Sequence, residues 1–465
     1  CEDCGKPVCT DETINKVSEI FAQKGSNAWF DLEAAELLPD GFVCPHCGGK
    51  HFYKEKDTLD GWFDSGSSHR AVIKNIKWPC DLYLEGADQY RGWFQSSLLT
   101  AVGATGKGAP YRQVLTHGWV VDGEGKAMHK SLGNSVYPED VIKVYGADLL
   151  RLWVASSDYR VDVRVSDDIF KQLSEIYRKI RNTTRILLAN LGNPAEDFDP
   201  VKDCVPFEQM EEIDKWIVAK FNDLVKRVKD AYNSYEFHLI YHDMHNFCAI
   251  ELSKLYIDIS KDRVYVQSKN SPLRRSAQTA MYYILSGFTR LIAPILSFTA
   301  EEIWQFMPHT ANDNAESVFL NDMPDYREDL AFAETAAKYD KLFDVRDDVM
   351  KALELARAEK KIGKSLDAKV VIYDKKDSEL MKLFESFGDE LSDIFICSGV
   401  ELTDAAPDAE AYADTLSGIA VKVVPAVGTK CDRCWFIRED VSEDGEGGHI
   451  CKRCATIVNA DFPSL

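Results

Sequence analysis

The stretch Gly125-Lys-Ala-Met-His-Lys-Ser-Leu-Gly-Asn134 puts two lysines, Lys126 and Lys130, beside Met128 and Ser131 in a loop bounded by glycines. Lysine supplies compact, rotatable positive charge, and the flanking glycines let the backbone bend. Such a loop suits the neutralisation of a polyphosphate while it is expelled. The P-loop spacing, Gly-x4-Gly-Lys-Ser/Thr, is absent. Taken alone, a lysine-rich loop is usually a solvated turn, so its neighbours decide what it does.

Cysteine spacing carries the most specific chemistry. Eight of the thirteen cysteines fall into four Cys-x2-Cys pairs, which points to metal in a reducing, cytoplasmic compartment rather than to disulfides. Cys431, Cys434, Cys451 and Cys454 form two knuckles sixteen residues apart, the spacing of a tetrahedral four-thiolate zinc site. The run Ser442 to Gly448 between them is flexible enough to close the loop. With four cysteines no position is open for a catalytic water, so this zinc organises a small binding knob. Cys1, Cys4, Cys44 and Cys47 can form a second zinc ribbon over a longer gap of 39 residues.

Further polar clusters surround the lysine loop in the sequence. Asp57 to His69 combines an acidic, glycine-broken segment with Trp62. Glu85-Gly86-Ala-Asp88-Gln89 follows the apolar run Asp81–Leu84, at a strand's C-terminal end, where open α/β sheets bind ligands. A carboxylate there can hold an ammonium, and Asp88 and Gln89 can orient it or a ribose. Trp93 lies four residues past Gln89, and His117-Gly118 closes the next strand. Each cluster alone reads as structural; their convergence on one sheet edge reads as a site. His242-x2-His245 lacks a third ligand and reads as a helix face. Lys171, Arg178, Lys179, Arg181 and Arg185 gather on one helix, either a salt-bridged surface or a phosphate track.

These groups need elements to position them. Asp81–Glu85 and Gln113–Val121 read as strands, with a helix over Gln89–Val102 between them, an order that favours a parallel sheet. Residues 1–57 read as loop-rich. From Ile169 to Ala358 the pattern is helical, with Ile213, Trp216, Ile217, Phe221, Leu224, Val225 and Val228 at steps of three and four. Phe237 to Ile259 and Ala277 to Phe306 continue it, with a kink at Pro294. After Lys361 a mixed α/β region follows, with strands at 369–373 and 419–424 and an exposed acidic loop at 402–414. At 465 residues several domains are expected. A net charge of −21 excludes nucleic-acid binding through a global positive field but leaves local basic patches. No apolar run approaches the roughly 20 residues that span a bilayer, and no signal peptide opens the chain. The first residue is Cys1, so a fragment or processed product is expected.

The chain resembles the C-terminal half of the bacterial isoleucyl-tRNA synthetases, class I enzymes. The matching segments are Asp60-Gly-Trp-Phe-Asp-Ser-Gly66, Asp81 through Phe94, His117 through Gly125 and Tyr177 through Thr183. His245 through Ser253, Lys261 through Tyr265, Lys361 through Ala368 and the terminal cysteine knuckle complete the set, in the family's order. The loop corresponds to the Lys-Met-Ser-Lys-Ser signature, read here as Ala127-Met-His-Lys-Ser131. Ala127 and His129 depart from it; Lys130 is the second lysine, and Lys126 stands in for part of the missing charge.

The resemblance implies a multidomain α/β plus all-α fold. Residues 1–57 would be a zinc-bearing insertion and 58–168 half of a Rossmann-like catalytic domain. A helical anticodon-binding domain would cover 169–360, a small mixed α/β region 361–426 and a zinc knuckle 427–460. It implies ATP-dependent activation of L-isoleucine, with magnesium accompanying ATP as substrate, and transfer to tRNA(Ile). Lys130 would be catalytic, and Lys126, Met128, Ser131, His117 and Gly118 would touch ATP. Glu85, Gly86, Asp88 and Gln89 would hold the aminoacyl-adenylate, with Trp62 and Trp93 walling the aliphatic pocket. No His-x-Gly-His occurs in the chain and the editing domain is absent, so these residues alone are expected to be inactive. A monomeric cytoplasmic parent enzyme is implied. The competing readings are a valine or leucine sibling, disfavoured by the paired tryptophans and the terminal knuckle, and a non-catalytic tRNA- or zinc-binding module.

Overall fold

The computed structural model describes residues 1–72, 76–192, 197–443 and 448–461. Asp444–Gly447, within the run expected to close the C-terminal knuckles, lies outside the described residues. The chain divides into two compact units, Cys1–His117 and Gly118–Leu465.

In the first unit, residues 1–57 hold more helix than their sequence suggests. Asp11–Lys24 is a fourteen-residue helix. Thr10 and Thr13 open it reciprocally: the Thr10 hydroxyl accepts from the Thr13 amide at 3.3 Å and the Thr13 hydroxyl from the Thr10 amide at 3.0 Å. Ile14 and Val17 turn toward Trp29, Leu37 and Phe52 around a cavity of about 570 Å³. Cysteine and glycine density masked this amphipathic stretch.

β1 (Cys80–Gly86) and β2 (Tyr111–His117) pair in parallel, with Glu85 opposite Thr116 and Gly86 opposite His117. A tight turn at Ala87–Arg91 and the helix Trp93–Thr105 cross between them. The strand expected through Val121 stops at His117.

In the second unit the chain resumes as β3 (Val120–Val121), paired in parallel with β4 (Val163–Arg164). The interruption falls at Gly118, whose amide donates to the Tyr159 carbonyl at 2.8 Å. A side chain there would stand 2.5 Å from the Val161 backbone, so only glycine fits.

Helices build most of this unit. Asp167–Leu191 starts on Ser166, with Asp167 and Asp168 in its first turn, and buries Phe170, Leu173, Ile180, Leu187 and Leu191. Glu212–Asn233 follows, then a continuous helical run made of Phe237–Asn246, a π-helical stretch Phe247–Tyr256 and Ile257–Tyr265. The kink expected at Pro294 is a full break between Pro272–Ile292 and Ser297–Phe306. The helix Ala147–Ser156 staples that break. Its Arg151 donates to the Pro294 and Ile295 carbonyls at 2.6 and 3.0 Å, and its Asp148 accepts from the Phe298 and Thr299 amides at 3.1 and 2.7 Å. Positive charge thus meets the end of one helix and negative charge the start of the next. Ala333–Ala358 closes the bundle.

Beyond it, β5 (Ala368–Tyr373) lies between β6 (Gly399–Thr403), parallel, and β7 (Ala420–Pro425), antiparallel. One hydrophobic core runs from Val141 to Val423 through helices and sheet. The C-terminal knuckle has its own small core of Val266, Phe436 and four cysteines. No described helix is long and apolar enough to cross a membrane.

Candidate active site and metal centres

The first unit gathers its polar candidates at the C-terminal ends of β1 and β2. The Glu85 carboxylate accepts from the Gly86 amide at 3.1 Å and stands 3.8 Å from the His117 imidazole. Asp88 folds back so that its carboxylate lies 2.6 Å from where a Gly86 side chain would begin, and His117 is 3.7 Å from the same point. Gly86 is buried, and any side chain there would collide with the Asp88 carboxylate. Gln89 is otherwise engaged: its side-chain oxygen accepts from the Trp93 amide at 2.9 Å and caps that helix.

The two tryptophans meet around Gly92. The Trp62 indole lies 3.3 Å from the place a Gly92 side chain would fill. Trp93 donates its indole N–H to the Ser65 carbonyl at 2.9 Å and stacks on Tyr83, ring centres 4.3 Å apart and 15° from parallel. Tyr83 is buried and its hydroxyl is 3.0 Å from that of Ser97. His69 ends the Asp57–His69 segment as a buried ring 3.2 Å from the Thr100 hydroxyl, which donates to the Gly66 carbonyl at 3.2 Å. Burial, and secondarily Arg70, hold His69 below its usual range. Tyr83, Gly92 and Thr100 escaped the sequence reading, since a packing platform and an absent side chain leave no polar signature.

In the second unit the lysine loop is a pinned turn. One Asp122 oxygen accepts from the Glu124 and Lys126 amides at 3.0 and 2.8 Å. The other takes the Asn134 amide group at 2.8 Å. Asn134 also donates to the Ala127 carbonyl at 3.2 Å and accepts from the His129 amide at 2.9 Å. These bonds, Asn134 foremost, hold Asp122 below the usual carboxylate range. An aspartate and an asparagine bracketing a glycine-rich loop were a legible turn signal. Met128 packs against the core and anchors the loop's middle. Lys126 is committed to Glu124 at 2.7 Å. Lys130 opens the turn Lys130–Leu132 and is exposed, as is Ser131, and no carboxylate pairs with Lys130 among the described residues.

Both cysteine quartets fit a zinc ion. In each, the four sulfurs lie within 4.8 Å of one another. Bonds of ~2.3 Å to a tetrahedral zinc place sulfurs about 3.8 Å apart. Cys1 and Cys47 are 3.6 Å apart, Cys4 and Cys44 3.8 Å, and Cys434 and Cys451 3.9 Å. The His46, Gly49 and Cys451 amides each point at a ligand sulfur from 3.4 Å, as thiolates require. Gly5 and Gly48 follow the first quartet's knuckles with left-handed backbone; Trp435 takes that conformation after Cys434, at φ +66°. The C-terminal quartet is wholly buried, whereas Cys47 is exposed. The hydrogen bond from Cys454 outweighs burial and holds Cys434 well below the usual thiol range.

All five residues of the basic patch are exposed on the Asp167–Leu191 helix. Three are paired: Lys171 with Asp167 and Asp168, Arg178 with Glu175, and Arg181 with Glu302. His245 lies on the Phe237–Asn246 helix, where burial, and then the nearby His242 and Lys179, depress its protonation.

Three family models match the chain. Residues 1–166 match "tRNA synthetases class I (I, L, M and V)", 214–372 "Anticodon-binding domain of tRNA ligase" and 428–457 "Zinc finger found in FPG and IleRS". The isoleucine–tRNA ligase of Caldanaerobacter subterraneus subsp. tengcongensis is 53% identical over 98% of this chain and 49% of its own length. Those of Thermoanaerobacter sp. and Syntrophotalea carbinolica are 51% and 50% identical, with the same shares covered. The chain thus spans about half the length of these curated relatives. Among solved structures, the LeuRS of Agrobacterium radiobacter K84 in complex with tRNA and LeuAMS aligns at TM-score 0.48 and 16% identity, covering 75% of this chain and 40% of that one.

Proposed function

The chain belongs to the isoleucine–tRNA ligases of class I, and on that premise we propose that it forms part of an enzyme that activates L-isoleucine with ATP and transfers it to tRNA(Ile). In the first step an isoleucine carboxylate oxygen attacks the α-phosphorus of ATP. The bond from that phosphorus to the bridging oxygen breaks, and pyrophosphate leaves with the electron pair. Isoleucyl-adenylate remains, and a hydroxyl of the tRNA's terminal ribose then attacks its carbonyl and releases AMP.

The observation that carries this reading is the pairing of an acidic strand edge with an aromatic wall around Gly92. Glu85, Gly86 and Asp88 take the polar end of the aminoacyl-adenylate. Asp88 supplies the charge that faces the ammonium, because the oxygen of Gln89 is already spent on Trp93. Trp62 and Trp93 offer indole surface to the butyl group, whose burial contributes about 2–3 kcal/mol. Lys130 provides positive charge for the departing phosphates, an interaction that strengthens as charge develops in the transition state. His117, Gly118, Lys126, Met128 and Ser131 complete the ATP contacts. Both quartets hold structural zinc, which would keep the 1–57 and 427–460 segments folded. The helices of 169–360 grip the anticodon stem-loop, with Lys171, Arg178, Lys179, Arg181 and Arg185 on phosphates. The parent enzyme works in the cytoplasm as a monomer.

Isoleucine-dependent ATP–pyrophosphate exchange tests this reading. The chain joined to the remaining length of its relatives is expected to exchange, and Lys130→Ala to lower the rate by ~2–4 kcal/mol of transition-state stabilisation. Exchange driven by valine or leucine in preference to isoleucine would overturn the assignment.

A further inference from the structure

The loop's anion site has a second uncommitted cation that its own letters do not contain. Lys126, the residue next to Gly125, pairs with Glu124 at 2.7 Å. Ala127 brings no charge. Beside the loop, β3 is the middle of three backbones: Val121 pairs with Arg164 of β4 on one side and bridges Ala127 on the other. Residues in register across neighbouring strands share a face, so Arg164 and Ala127 lie on the same side. Two strand spacings, about 10 Å, separate their backbones, and the arginine side chain extends toward the loop. Its guanidinium nitrogens stand 3.4 and 3.6 Å from where a Gly125 side chain would begin.

The carboxylates near Arg164 in sequence are all engaged elsewhere. Asp158 takes Arg160 through two bonds, at 2.8 and 3.0 Å. Asp162 accepts from the Trp119 amide, Asp167 pairs with Lys171 and Tyr145, and Asp168 pairs with Lys171. Asp122 is engaged by three bonds from the loop itself. Among the described residues no acid reaches the Arg164 guanidinium. A free, exposed guanidinium beside the glycine turn of the loop that contains Lys130 is matched to one class of ligand. Its planar fork fits two phosphate oxygens at once, which the lysine's point charge does not.

We propose that Arg164 is a substrate-binding residue that clamps the β- and γ-phosphates of ATP, and the pyrophosphate derived from them, together with Lys130. The proposal rests on the reading of the loop as a polyphosphate site. Its test is ATP–pyrophosphate exchange by the chain joined to the remaining length of its relatives. Arg164→Gln should raise KM for ATP and for pyrophosphate by about 10-fold or more, the worth of a charge-assisted contact, and leave KM for isoleucine unchanged. Arg164→Lys should recover part of the loss. Arg160→Gln, whose guanidinium belongs to Asp158, should behave as wild type. Unchanged KM for both phosphate substrates in an exchanging enzyme overturns this inference alone; no exchange by the wild type overturns the reading beneath it. A folding defect in the variant is bypassed by phenylglyoxal labelling of the unsubstituted chain. Inorganic tripolyphosphate should slow modification of Arg164, and undiminished modification at high tripolyphosphate overturns the proposal.

Discussion

Replacing Arg263 by methionine breaks a buried ion pair at the centre of the helical bundle. Asp214 is wholly buried and its carboxylate draws on two other helical segments. Arg263 donates to both of its oxygens at 2.8 Å, and the hydroxyls of Tyr256 and Ser276 also donate to that carboxylate, at 2.7 and 2.5 Å. Methionine keeps most of the arginine stem but removes two charge-assisted bonds and the counter-charge. An uncompensated charge of this kind costs about 3–5 kcal/mol. Removing both charges at once, Asp214→Leu with Arg263→Met, abolishes that penalty. The Tyr256 hydroxyl then has the Ala277 carbonyl at 3.3 Å, and Ser276 still accepts from the Glu211 amide at 2.9 Å. The double variant should therefore be at least ~2 kcal/mol more stable than the single one. For a body of this size 1 kcal/mol moves the melting midpoint by roughly 1–2 °C. Calorimetry should find Arg263→Met about 3–10 °C below the wild type, with most of the loss restored in the double variant. A loss under about 1 kcal/mol in Arg263→Met, or a double variant worse than the single, would refute the argument.

Metal analysis of the purified chain should find two zinc ions, one per quartet, and Cys451→Ser should retain only the first. Full zinc content in Cys451→Ser would remove the C-terminal site. Gly92→Ala would put a methyl 2.6 Å from the Gln89 oxygen and 3.3 Å from the Trp62 ring. In the exchange assay it should weaken isoleucine by about 1–3 kcal/mol with KM for ATP unchanged, and an unaltered isoleucine KM would detach Trp62 from the pocket. Burial, reinforced by the Asp262 carboxylate, pushes Asp393 up to about 6 against Arg453, Arg263 and Arg438. The folded state then holds a proton that the unfolded chain releases near pH 4, so the penalty is absent below that pH, grows between about pH 4 and 6, and is complete above. Asp393→Asn should gain about 2–3 kcal/mol over wild type at pH 7.5 and nothing at pH 4; a gain independent of pH contradicts that titration.

Much of this molecule was legible in one dimension because its signals are local. A Cys-x2-Cys pair contains its own knuckle, so both cysteine quartets followed from spacing once two knuckles were matched. Period-3.6 apolar spacing likewise announced Glu212–Asn233, and the short apolar run at 369–373 announced β5. Charge type and glycine placement marked the Lys126–Asn134 loop as a phosphate candidate. Tertiary structure decided how those groups are spent. Lys126 and Lys130 are alike as letters, yet only the first meets an acid, because the Asp122 turn swings Glu124 against it. Gln89 became a helix cap rather than a free ligand. Tyr83, Gly92 and Thr100 entered the site through stacking, a missing side chain and a bridging hydroxyl. Arg164 reached the loop only through the register of three backbones. Spacing along the chain determines which atoms can meet at close range; partners dozens of residues apart are chosen by packing, which no short motif encodes.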